Sequence, residues 1–237
     1  MGYLIRVIDF ETTGTEPPAE VVEVGFCDLH GDESGRWAIG QHGSWLCGVD
    51  AIPPEVRAIH HIRVSDVAGL APFDCAGLWA MAADDQVDVV AAHNMEFEAK
   101  FLGEAARPLL CTYKAALRVW PAAPSHSNGA LRYWLEDQGL IEPLHEKTLP
   151  PHRAGPDAYV TAHLLQALLT LHTAAEMIRW TKEPRLLPTC PIGKFRGKPW
   201  AEVEAGFLDW MLAQASMEPD LKWNARRELE RRRATSA

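Results

Sequence analysis

Two apolar runs open the chain, YLIRVIDF over residues 3–10 and EVVEVGFCDL over 20–29, parted by a stretch of Thr, Gly and Pro. Both are short and rich in β-branched and aromatic residues, which predicts two strands joined by a turn. Residues 44–49 predict a third strand before Asp50. Pro53 and Pro54 then open a short helix through Val56, Ile59 and Ile62, and Ser65 stands where it can cap helical pattern that resumes past Pro72 into 78–81. The run QVDVVAAH over 86–93 is of buried-strand type, and the residues from Asn94 predict a helix continuing through Phe101 and Leu102. A strand over 109–112 leads into a helix that stops at Pro121, and Ser127 can cap a helix carrying Leu131, Trp134 and Leu135 to an end near Gly139. Val160, Leu164, Leu168 and Leu171 then recur at the spacing of one helix face. Pro156 is tolerated only in the first turn of that helix, so Asp157 lies near its N-terminus and His152 on the loop before it.

Past this helix the pattern breaks down. TKEPRLLPTCP, over 181–191, holds three prolines and little periodicity, as a linker does. PIGKFRGKPW follows as a hairpin, and then two amphipathic segments around 207–212 and 221–233. The organisation expected is a main domain over 1–180, a linker over 181–190 and a small C-terminal module over 191–237.

Composition narrows the class. A chain of 237 residues with 47% hydrophobic and 23% charged residues is ordinary for a soluble globular protein, and no run of eighteen apolar residues could span a membrane. Strand pattern starts at Tyr3, which leaves no room for a signal peptide. The five cysteines are odd in number and widely spaced, against a disulfide framework or a cysteine zinc site, so a cytoplasmic setting is expected. The net charge of −9 looks unsuited to a nucleic-acid binder, but it is uneven: residues 185–237 carry ten Lys/Arg against seven Asp/Glu, the rest thirteen against twenty-five. A footprint for phosphate is therefore biased to the C-terminus.

The candidate chemistry lies in acids at the ends of core elements. Asp9 and Glu11 are two residues apart on a strand, so they project to one face while Phe10 points to the other. Two carboxylates so close repel unless a hard cation sits between them, and oxygen-only ligation suits Mg²⁺ or Mn²⁺. Glu98 falls in the first turn after a central strand, and Asp157 in the first turn of the long helix. Adjacent His60 and His61 have no metal-pair spacing and read as one packed and one exposed residue.

DFETTG, AHNMEFE and HRAGPD, in this order and spacing, resemble the three motifs of the DEDDh 3′–5′ exonucleases, D-x-E-T-T-G, H-N-x-x-F-D and H-x-x-x-x-D, over residues 3–172. IPPEVRAIHHI and PIGKFRGK are similar to a branch of that family whose chain also ends in a small G-K-[FY]-R-G-K module. The resemblance implies a ribonuclease H-like α/β fold, a mixed five-stranded sheet flanked by helices, followed by a small α+β module. It further implies release of nucleoside 5′-monophosphates from the 3′ end of DNA by two metal ions, Mg²⁺ or Mn²⁺. Asp9 would touch both ions, Glu11 and Asp157 would complete the first site, Glu98 would serve the second, and His152 would be the general base. A histidine of ordinary pKa near 6.5 suits that task at neutral pH. Phe10, Thr12, Thr13, Gly14, His93, Asn94 and Phe97 would meet the substrate, and Lys194, Arg196 and Lys198 its phosphates. The implied partner is a single-stranded or frayed 3′ end of DNA, with no membrane. An exoribonuclease of the same fold, and an end-binding module with an impaired site, are the alternative readings. Three positions depart from the family pattern: Glu98 replaces the usual Asp, Thr15 the usual Leu or Met, and Gly155-Pro156 stands where helix formers are more common.

Overall fold

β-Branched and aromatic side chains carry the first two apolar runs into long strands in the computed structural model of the protein, which describes residues 3–80, 87–103, 107–144 and 146–236. These are β1 (Tyr3–Thr12) and β2 (Val21–Gly31), followed by β3 (Trp37–Leu46). Next come α1 (Pro54–His60), α2 (Val64–Val67) and α3 (Cys75–Ala80), then β4 (Val89–Ala92), α4 (Met95–Glu98), β5 (Leu109–Cys111), α5 (Thr112–Val119) and α6 (Asn128–Asp137). The chain closes with α7 (Ala154–Leu169), α8 (Ala174–Thr181), α9 (Ala205–Ala213) and α10 (Pro219–Ser236). The sheet is mixed and five-stranded, in the order β3-β2-β1-β4-β5. Its first three strands form an antiparallel meander, while β4 and β5 run parallel to β1, as their helical crossovers require.

Period-2 alternation on β1 divides the core. Ile5 and Val7 face α5, α6, α7 and α8 through Ala115, Leu131, Leu164 and Met177. Leu4, Ile8 and Phe10 face the other way, onto Leu78, Met95 and Leu102. Arg6 lies on that second face at 1% exposure, where Asp28 of β2 takes its guanidinium in two 2.8 Å bonds. The α1–α2 corner covers Val22 of β2 with Ile62 and Val67.

The structure moves several expected elements. The third strand begins at Trp37 and ends at Leu46, earlier than 44–49, because this edge strand is largely half-exposed and its pattern is weak. Arg63, not Ser65, occupies the N-cap of α2. The helix after Asn94 lasts one turn and gives way to turns before Phe101. His60 is buried and His61 exposed. α8 had no counterpart in the sequence reading, whereas Met81 and Gln86 lie outside the described residues.

Beyond residue 184 the apolar side chains form a cluster of their own, Cys190, Trp200, Val203, Leu208, Met211, Leu221 and Ala225. GKFRGK is no strand here: Gly193–Phe195 form a 3-10 turn, and the reversal is closed by a single bridge between Thr189 and Pro199. Gly193 has φ +60 and a Cβ there would meet the Phe207 ring at 2.9 Å, so the turn needs glycine. Lys194, Arg196 and Lys198 therefore do not share a strand face; Lys194 pairs with Glu204 at 2.9 Å and Lys198 with Glu202 at 3.6 Å.

Candidate active site

Asp9 and Glu11 leave β1 on the face covered by α7, whose first turn carries Asp157. One oxygen from each of these three carboxylates lies within 4.8 Å of the others. Glu98, at the end of α4, is 4% exposed, and its Oε2 has no hydrogen-bond partner. Its charge acts on Asp9 and feels that of Glu11, so the fourth acid faces the same site. Glu96 turns away, into an ion pair with Lys114 at 2.7 Å.

Acids packed so closely hold protons more tightly. Burial first, and then the neighbouring carboxylates, push Glu11 up to about 8 and raise Asp9 well above its ordinary range. Burial likewise pushes Glu98 up to about 8 and raises Asp157, although the His152 N–H draws Asp157 back. An oxygen-only donor set with uncompensated negative charge and an orphaned buried oxygen fits a hard divalent cation.

His152 is exposed beside this cluster, and its backbone N–H donates to Asp157 Oδ2 at 3.0 Å. Its φ is 57°, in the left-handed region that costs a non-glycine residue about 1–2 kcal/mol. Such strain persists where the surroundings hold it. Immediately after it, Arg153 Nε and Nη2 grip the carboxylate of Glu23 at 2.8 Å each. The same carboxylate accepts the Ala154 N–H at the start of α7, at 3.1 Å. Gly25 allows this approach, since a Cβ there would stand 1.9 Å from the Ala154 carbonyl oxygen.

The residues expected to touch substrate separate into two groups. Asn94 is exposed, Phe97 is half-buried against Phe101 with ring centroids 5.4 Å apart, and Gly14 is half-buried in the turn after β1. The Thr12 hydroxyl donates to the Gly14 carbonyl at 2.6 Å, and the Thr13 hydroxyl accepts the Glu20 N–H at 2.9 Å; both close the turn after β1. Phe10 lies in the core, 4% exposed, with its ring centroid 5.3 Å from that of Phe73. His93 is held by protein groups: its Nε2 donates to the His126 carbonyl at 2.7 Å, its Nδ1 meets the Thr112 hydroxyl at 3.0 Å, and burial pushes its pKa down to about 4. A ring with both nitrogens so engaged ties β4 to α5 and the 120–127 loop.

Sequence reasoning missed Glu23, Arg153 and Lys100. Glu23 had a signal, since a charge inside the apolar run EVVEVGF must find a partner when the strand is buried. Lys100 bonds the Thr15 carbonyl at 3.1 Å and Glu16 at 2.6 Å, fastening the turn after β1 to the α4 side of the cleft.

Searched against family models, the chain matches none. It is 31% identical over 242 residues to exodeoxyribonuclease 10 of Escherichia coli strain K12, across 96% of this chain and 99% of that protein. The same protein of Escherichia coli O6:H1 strain CFT073 matches equally. Among solved structures, exonuclease X in complex with 5′-overhanging duplex DNA aligns at 29% identity and TM-score 0.59, covering 75% of this chain and 99% of that one. A zinc-bound complex of E. coli exonuclease I with single-stranded DNA shares the fold at TM-score 0.52 and 14% identity, covering 75% of this chain and 42% of that one.

Proposed function

This chain belongs to the exodeoxyribonuclease 10, or exonuclease X, family of nucleases, and on that premise we propose that it is a metal-dependent exonuclease removing nucleoside 5′-monophosphates from the 3′ end of DNA. The observation that carries the reading is the convergence of Asp9, Glu11 and Asp157 oxygens within 4.8 Å, beside the orphaned Oε2 of Glu98. A binding module gains nothing from converging negative charge next to phosphate.

In this reading Asp9, Glu11, Asp157 and Glu98 would together hold two divalent cations, Mg²⁺ or Mn²⁺. Bound there, the ions supply stabilisation of charge on the attacking and leaving oxygens. His152 takes the proton of the attacking water, and the Asp157 contact to its backbone holds it beside the cluster. Asn94, Phe97 and Gly14 border the terminal nucleotide. DNA as substrate is supported by the relatives' names and by solved complexes of such proteins with DNA. The same reading makes residues 191–237 a separate module that holds longer substrates. A cytoplasmic setting is supported by the free state of all five cysteines.

The test uses DNA and RNA oligomers of one sequence, labelled at either end, with Mg²⁺, Mn²⁺ or EDTA. The reading requires a stepwise ladder from the 5′ label, mononucleotide from the 3′ label, slower attack on RNA and silence in EDTA. Degradation from the 5′ end, or turnover in EDTA, overturns it.

A further inference from the structure

Glu23 stands directly opposite Glu11 in the β1–β2 ladder. Like charges so paired on one face of a sheet are unfavourable, and Glu23 is 1% exposed. What makes the arrangement tenable is the Arg153 guanidinium, which meets both Glu23 oxygens at 2.8 Å while its own side chain stays 34% exposed. The pair is thus part of the wall of the acid cluster, and its arginine is the neighbour of His152. Next to Glu23 on the ladder, Gly25 faces Asp9 and receives the first turn of α7. One carboxylate therefore secures the left-handed backbone at His152 from the Arg153 side and the start of the helix that carries Asp157.

We propose that Glu23 and Arg153 are positioning residues for the nuclease reaction: their ion pair fixes the turn that presents His152, and it keeps the charge facing the metal ligands in balance. The proposal rests on the reading of His152 as the base. The charge of Glu23 reaches Asp9, Glu11 and Asp157, and that of Arg153 reaches Glu11. Removing Glu23's charge alone leaves an unbalanced cation beside the ligands, whereas removing both charges restores neutrality and still loses the anchor. A merely structural pair has no reason to separate these effects.

The experiment measures Mn²⁺ affinity of the full chain by calorimetry, without turnover, alongside kcat and KM on a labelled oligomer and a melting curve for each variant. E23Q is expected to weaken Mn²⁺ binding about tenfold and to lower kcat by at least as much, with KM nearly unchanged. The double variant E23Q/R153M should bind Mn²⁺ within about threefold of the wild type and keep the low kcat of E23Q. R153K keeps the charge but loses the planar fork, so it should bind Mn²⁺ normally with an intermediate kcat. Wild-type affinity and kcat in E23Q overturn the proposal, as does a double variant that binds no tighter than E23Q. If E23Q fails to fold, R153K decides: kcat equal to wild type overturns the anchoring role. H152A separates the two readings, because full kcat there removes His152 as base while the Mn²⁺ affinities still judge the pair.

Discussion

At the scale of single residues, the site turns on which carboxylate of the MEFE turn faces inward. Glu98 does, buried and with an oxygen unpartnered, while Glu96 is spent on Lys114. E98Q should therefore lower kcat by about a hundredfold or more, and E96Q should stay within about threefold of the wild type; the reverse order in steady-state assays would transfer the role to Glu96. The raised pKa values of Glu11 and Glu98, about 8 against 4.5, give a second expectation. A group whose folded pKa is raised contributes stability that is complete below its unfolded pKa and lost as pH rises through the folded one. In EDTA, Tm should then fall by about 5 °C or more between pH 5 and pH 8. Mg²⁺ at pH 8 should recover it, since a ligand that binds only the native state stabilises it. A flat or rising profile in EDTA would contradict the burial of these acids. The convergence of Asp9, Glu11, Glu98 and Asp157 was legible in sequence because each lies near the end of a core element at motif spacing, with His152 on the loop that leads into α7. Phe10 points into the core, as the two-residue alternation of the strand predicts, whereas the hydrogen-bond partners of His93, Thr112 and His126, could not be read from its motif. Arg153 was invisible because its partner lies 130 residues away.

At the scale of elements, α7 is the piece that the site cannot do without, and its seat on β2 is a backbone contact at Gly25. G25A places a methyl where the Ala154 carbonyl stands, and no flexible side chain can yield. The expected result is a loss of about 2–3 kcal/mol in urea denaturation, together with a drop in kcat as Asp157 moves away from Asp9 and Glu11. An unchanged midpoint and kcat would mean that α7 docks differently. Elements whose burial is nearly complete, such as β1, β2 and α7, were readable from their apolar runs alone. β3 was not, since an edge strand with Gly40, His42 and Gly43 along it has few buried positions to set a period. α4 ends after one turn, and its last residue is the buried Glu98.

At the scale of the whole molecule, the Pro-rich stretch after α8 is held at both ends. Lys114 bonds the carbonyls of Thr181 and Glu183 at 3.0 and 2.8 Å, and Arg118 pairs with Glu183 at 2.9 Å. Farther on, Asn224 of α10 accepts the Leu187 N–H and donates to the Arg185 carbonyl. Low periodicity in sequence thus marked an absence of helix and strand, not an absence of contacts. The same structure relocates the positive surface. Lys194 and Lys198 face acids of their own module, whereas Arg226, Arg227 and Arg233 are exposed on α10 and form no ion pair among the described residues. Releasing a counterion from DNA requires a cation that is not already matched, so α10 is the better placed to track phosphates. Replacing Arg226, Arg227 and Arg233 by Ala should make log K for a long oligomer less steep in log salt by about two to three units, at roughly 0.7–0.9 per contact. Replacing Lys194, Arg196 and Lys198 should change it by about one unit, through Arg196 alone. Equal slopes in both triple variants, each with a wild-type melting curve, would show that the module's charge does not govern binding; a larger change in the second would return the phosphate contacts to the GKFRGK turn.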